Sequence, residues 1–212
     1  MKEAQGLQRG RVGARPAKAR RARGTMSAAP APRLVPARVL IRPTRPDDLE
    51  EAALLERRVW GRLAASLNEL QRRLFALPEA FLLAELQVPG RPAQIVGLTN
   101  ALVWTREFPR SYAGYEKMLP SASHNPRGDI LYVASIGVDP GLRGRGVGSR
   151  LLEETLEVGR RRHLKVARLI ANSRSQSLYI RAGFAVVRPL PGLFRRHRDL
   201  MPKPALMECP LA

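Results

Sequence analysis

From Val39 onward the apolar residues fall into short blocks whose spacing alternates between a strand period and a helix period. VLIRP (39–43) reads as a short strand. Thr44-Arg45-Pro46-Asp47-Asp48 then supplies a capping residue, a proline and an acidic first turn, so a helix is expected with Leu49, Ala52, Ala53 and Leu55 on its apolar side. Leu63, Leu67, Leu70 and Leu74, spaced four, three and four, predict a second amphipathic helix that ends by Pro78. AFLLAEL and AQIVGLTNALVW (80–86 and 93–104) read as two strands with Pro89-Gly90 in the hairpin between them. The apolar run from Ile130 to Val138 predicts a buried strand, and helical spacing returns at Leu151, Leu152 and Leu156. Val166 to Ala171 reads as a further strand, a short helix carrying Tyr179 follows, and AVVRP (185–189) and ALMECPL (205–211) close the chain as two strands. The order β-α-α-β-β-β-α-β-α-β-β describes one α/β domain over residues 39–212, without internal repeats.

Composition narrows the picture. The chain has 212 residues, 44% of them hydrophobic, enough for one domain with a sizeable core and a tail. No apolar stretch approaches the roughly 20 residues that span a bilayer, so no membrane partner is expected and the cytoplasm is the expected location. A single cysteine, Cys209, leaves no internal disulfide and no thiolate cluster, and His124, His163 and His197 show no ligand spacing. No metal is expected. The net charge of +19 is uneven: residues 1–38 hold ten Lys/Arg against Glu3 alone, with no aromatic residue and no apolar periodicity. This segment is read as a disordered basic tail. It is compatible with weak, non-specific nucleic-acid binding or with a transit peptide, but the favoured expectation is a start assigned too early, with Met26 as the alternative.

The chemistry concentrates after Val138. The run breaks at Asp139-Pro140 and continues with Gly141, Gly144, Gly146 and Gly148 before the helix begins. Strand, glycine-rich turn and helix N-terminus make an anion site, because the first helical N–H groups lack partners and carry partial positive charge. Arg143, Arg145 and Arg150 add full charges. The pattern is not a P-loop, since Val147 rather than Lys-Ser/Thr follows Gly146. Neither is it a dinucleotide fingerprint, since the sixth position is Ser149 or Leu151 in the two registers available. Taken alone, the segment could also be an ordinary glycine-rich turn. Further on, Asn172 ends a strand, Tyr179 lies seven residues later, and Gly183-Phe184 closes that segment.

Arg143-x-x-Gly146-x-Gly148 after Val-Asp-Pro, together with Asn172, Tyr179, Gly183 and Phe184, resembles the GNAT N-acetyltransferase superfamily. The resemblance covers about 170 residues. It implies a mixed, mostly antiparallel central sheet, splayed between the fourth and fifth strands and flanked by helices. It also implies acetyl-coenzyme A as cosubstrate and direct transfer of the acetyl group to a primary amine in a ternary complex. On this reading Arg143, Gly144, Arg145, Gly146, Val147, Gly148 and Ser149 hold the pyrophosphate. The backbone of Ile136, Gly137 and Val138 binds pantetheine, with the Val138 amide an oxyanion donor. Asn172 hydrogen-bonds the pantetheine arm, and Tyr179 protonates the departing thiolate. The positive surface would steer the cofactor's phosphates inward.

The general base is not given by the resemblance. Many relatives place a Glu on or near the fourth strand, whereas Tyr132-Val133-Ala134-Ser135 has no carboxylate. Glu85, Glu116, His124 and Asp129 are candidates, and His124 has the most suitable ordinary pKa. Water could also carry the proton. Residues 105–129 are long for a connection, and Tyr112, Tyr115 and Met118 within them are candidate acceptor contacts. The basic surface favours a neutral or anionic small amine as acceptor. The other class to hold in view is a non-catalytic acyl-coenzyme A sensor of the same fold, and the resemblance leaves a homodimer open.

Overall fold

The blocks read as strands line up in one seven-stranded sheet. The computed structural model describes residues 37–105, 114–115 and 118–211. Its strands are β1 (Arg38–Pro43), β2 (Phe81–Gln87), β3 (Gln94–Trp104), β4 (Ile130–Val138), β5 (Val166–Ala171), β6 (Ala185–Pro189) and β7 (Ala205–Pro210). The helices are α1 (Leu49–Trp60), α2 (Leu67–Ala76), α3 (Val147–Arg161) and α4 (Gln176–Arg181). The sheet order is β1-β2-β3-β4-β5-β7-β6, antiparallel throughout except for the β4–β5 pair. The tail up to residue 36 lies outside the described residues, and β1 begins one residue before the predicted strand.

Alternation along the strands sorts the core into two layers. Phe81 and Leu83 of β2 pack with Leu49, Ala52 and Leu55 of α1 and Leu70 and Leu74 of α2. Leu82 and Ala84 face the other way, onto Val147 and Leu151 of α3. The run in β3 is apolar on both faces because both are covered, and a register shift opposite Ala84/Glu85 lets Ile95 and Leu98, three apart, share the α1/α2 face.

A second register shift matters more. Asn100 pairs with Ser135 and Ala101 with Val133, so Ala134 is the extra residue of a bulge in β4. Leu131 and Val133 face α3 before it, and Ile136 faces α3 after it. Ser135, which strict alternation would have sent toward α3, therefore faces α1. Gly137 lies on the same side, where an added Cβ would come within 3.1 Å of Val59 on α1.

Two expectations about the helices need correction. The second helix starts at Leu67, not near Leu63, because Ser66 caps it by accepting a hydrogen bond from the Glu69 amide at 3.2 Å. Leu63 instead belongs to a 3-10 turn, Gly61–Leu63, and Leu67 is exposed. The buried face of α2 includes Glu69 and Arg73, paired at 2.9 Å, with Arg73 also donating to Asn100 Oδ1 at 3.0 Å. At the first helix, Thr44 does no capping. A 3-10 turn, Pro46–Asp48, leads into α1, and Asp48 reaches back to accept from the Arg45 amide at 2.7 Å.

Candidate functional site

The β4–β5 pairing runs only from Ile130/Val166 to Tyr132/Arg168. Beyond the bulge the two strands separate, and β5 continues against β7 alone. The edge of β4 from Ser135 to Val138 is thus not taken up by β5, and a cleft of 560 Å³ opens there.

Local sequence builds each wall. After β4, Asp139 Oδ1 accepts from the Gly141 amide at 3.0 Å and starts a 3-10 turn, Pro140–Leu142. Gly144 and Gly146 then take positive φ of 75° and 80°, in the left-handed region that glycine enters without strain. Gly146 is the N-cap of α3, so the first-turn amides of α3 have no intrahelical acceptor. No atom lies within 4 Å of where a Cβ would stand on either glycine, which leaves the backbone open to a ligand. The opposite wall begins at Asn172, whose Oδ1 accepts from the amides of Arg174 at 3.0 Å and Ser175 at 3.1 Å. Its Nδ2 donates to the carbonyl of Leu200 at 3.3 Å, tying the start of α4 to the β6–β7 connection. Tyr179 on α4 is buried, packed edge-on against Phe184 with centroids 5.8 Å apart. Burial pushes its phenol above the ordinary value, while a hydrogen bond with Ser175 works the other way, so the group keeps its proton through the neutral range.

The cleft gathers Ile136, Gly137, Val138, Arg143, Gly144, Gly146, Val147, Gly148, Ser149, Asn172 and Tyr179. Arg145 is exposed and does not line it. Arg150 is turned away, donating to the Val39 carbonyl on β1 at 3.0 Å. The structure adds contacts the sequence did not single out: Trp60 and Val59 from α1, Leu200 from the β6–β7 connection, Arg174 just before α4 and Arg181 at its end. The two arginines were within reach of a sequence reading, being so close to Asn172 and Tyr179.

A second, smaller cavity of 120 Å³ abuts the first, with Trp60 in the wall of both. Adjacent residues divide between the two: Ser135 lines the second and Ile136 the first, Met201 the second and Leu200 the first. The second cavity is walled by Trp60, Leu63, Tyr115, Tyr132, Phe194 and Met201, with Glu56 and Arg73 as its charged lining residues. Glu56 projects from α1 and is 2% exposed. Both its oxygens accept from the Ser135 hydroxyl, at 2.9 and 3.1 Å. Burial pushes the Glu56 carboxyl above the usual carboxylate range, against the Ser135 hydroxyl, the charge of Arg73 and the Ala65 amide, which pull it down.

Of the residues that the sequence offered as a general base, His124, Glu85 and Asp129 line neither cavity. His124 Nδ1 accepts from the Val103 amide at 3.2 Å, and burial, with Arg162 nearby, lowers its pKa; it lines neither cavity. Glu85 is paired with Arg42 at 2.6 Å on the β1–β2 side, and Asp129 with Lys165 at 3.4 Å. Glu116 and Tyr112 fall outside the described residues. Tyr115 does line the second cavity, hydrogen-bonded to Tyr132, while Met118 packs under the stacked pair Trp104 and Tyr132.

Among solved structures this arrangement has many counterparts. The loading GNATL domain of CurA from Lyngbya majuscula is 16% identical over 82% of this chain and 98% of its own, with a TM-score of 0.67. The GphF GNAT-like decarboxylase, solved in complex with isobutyryl-CoA, is 23% identical over 82% and 100%, with a TM-score of 0.63. The ribosomal-protein-S18-alanine N-acetyltransferase from Escherichia coli is 17% identical over 82% and 95%, with a TM-score of 0.52. At such identities the likeness is one of fold. No curated protein matches the chain. The family model for the Acetyltransferase (GNAT) family matches residues 49–184, well over half of the sequence, and the chain belongs to that family of acyltransferases.

Proposed function

We propose that the protein moves an acetyl group from acetyl-coenzyme A to the primary amine of a small molecule, by direct transfer within a ternary complex. The observation that carries this reading is the meeting of three walls in one 560 Å³ cleft: the edge of β4 that β5 leaves uncovered, the glycine turn before α3, and the Asn172–Tyr179 segment. That volume is in the range of small-molecule and cofactor sites. Family membership supports acyl transfer. Neighbours solved with isobutyryl-CoA and with CoA support an acyl-coenzyme A donor.

In this reading the amides at the start of α3 and the Arg143 guanidinium hold the pyrophosphate. The β4 edge left by β5 takes the pantetheine arm as an added strand would be taken, and the Val138 amide polarises the carbonyl. Tyr179, protonated at neutral pH, gives its proton to the sulfur as it leaves. The cavity behind Trp60 receives the amine. Asn172 fixes its own wall of the cleft, holding the start of α4 to the β6–β7 connection through its bonds to Arg174, Ser175 and Leu200.

Calorimetric titration with acetyl-coenzyme A tests this directly, wild type beside Gly148→Glu. A Cβ at Gly148 meets nothing closer than 3.6 Å, so the substitution fits, and a carboxylate at a helix N-terminus does not oppose folding. It does oppose a pyrophosphate, and binding should weaken by at least roughly 30-fold. A folded wild type that does not bind acetyl-coenzyme A overturns the proposal. Binding without thiol release on any amine would make the protein a sensor rather than an enzyme.

A further inference from the structure

The cavity beside the cleft has an unusual floor. Among the described residues that line it, Glu56 is the only carboxylate, and the single lining cation, Arg73, is already engaged by Glu69 and Asn100. The carboxylate is held by the Ser135 hydroxyl, on a residue that the β4 bulge turns to this side. Trp60 lines both cavities, and its buried indole N–H has no hydrogen-bond partner among the described residues.

Resting on the acyl-transfer reading above, we infer that Glu56 accepts the proton of the incoming ammonium, and that the cavity before it admits primary amines borne on a small, uncharged aliphatic group. Size sets the class. An apolar protein cavity of about 150 Å³ holds a benzene molecule. At 120 Å³, and open on one side, this one surrounds a group slightly smaller, on the order of four or five carbons. Charge sets it further. Past one ammonium the described lining residues offer no second anion, and the β6–β7 connection that supplies Phe194 and Met201 presents exposed Arg195, Arg196 and Arg198. Polyamines are disfavoured.

The step balances. The ammonium gives a proton to Glu56. The neutral nitrogen bonds to the acyl carbon while the carbon–sulfur bond breaks, Tyr179 protonates the sulfur, and the amide nitrogen loses its second proton to solvent. Glu56 then releases its proton and Tyr179 regains one from water. Among the described residues, Ser135 from β4, Arg73 from α2 and the Ala65 amide before α2 act on Glu56, and Tyr132 and Tyr115 line the same cavity. None is a competing carboxylate.

The test follows coenzyme A thiol release from acetyl-coenzyme A, using n-butylamine, benzylamine, spermidine and a short peptide with a free N-terminus. Wild type, Glu56→Gln, Glu56→Asp and Ser135→Ala are compared, with acetyl-coenzyme A affinity measured on every sample. Glu56→Gln should keep that affinity and lose about 10²–10⁴-fold in kcat/KM for n-butylamine at neutral pH. The deficit should narrow at a pH where the free amine is already neutral, which a merely structural role would not produce. Glu56→Asp should recover part of the rate. Ser135→Ala, by removing a donor to the charged carboxylate, should move the acidic limb of the pH profile upward. Loss of acetyl-coenzyme A binding in the wild type sinks the donor reading. Retained binding with an unchanged rate in Glu56→Gln overturns the role of Glu56, and preference for spermidine or the peptide over n-butylamine overturns the acceptor class.

Discussion

Glu56 is expensive to keep. A carboxyl ordinarily titrating at 4.5 sits almost wholly out of water, and burial dominates its environment. Because its folded pKa is raised, the folded protein holds a proton that the unfolded chain has already released at pH values just above 4.5. Stability therefore falls as pH climbs through that window and remains lowered above it. Glu56→Gln keeps an acceptor for Ser135 and removes the dependence. Its melting temperature should exceed that of the wild type at pH 8, and the gap should close as pH falls below 4.5, as differential scanning calorimetry over a pH series would read. A group that costs stability where the protein works is what a functional residue looks like energetically.

The elements show which parts of this molecule were legible in its sequence. The glycine turn, Arg143 and the Asn172–Tyr179 segment could be read because each is contiguous, and the backbone that uses them is local. The pairing of Glu56 with Ser135 joins positions 79 apart and depends on the Ala134 bulge, which leaves no mark in the apolar pattern of ILYVASIGV. The second helix misled for a related reason. Leucine spacing through Leu63 and Leu67 mimicked a helical face, while the residues α2 buries include Glu69 and Arg73, satisfied by each other, by Asn100 and by Ser121. The cap decides where α2 starts. Ser66→Ala should cost about 1 kcal/mol in urea unfolding, with little change in acetyl-coenzyme A affinity. An unchanged midpoint would mean that packing, not Ser66, fixes the start of the helix.

Across the described residues, β1 to β4 form one half-sheet and β5, β7 and β6 the other, joined by the three-residue β4–β5 ladder and by α3, whose Leu152 and Leu156 share one core cluster with Leu131 and Val133 of β4 and Ala167 and Leu169 of β5. Hydrogen exchange should find the amides of Ile136 and Val138, on the edge that β5 leaves, opening more readily than those buried in the ladder. Saturation with acetyl-coenzyme A should slow the first group far more than the second. Equal slowing of both would show that the halves do not open separately. If they do, the donor is a splint across a fracture line. At a hundred times its Kd it would add about 2.7 kcal/mol to the folded state. Protein starved of donor would gape at the seam and meet proteases more often, so the number of enzyme molecules would track the supply of the thioester they consume.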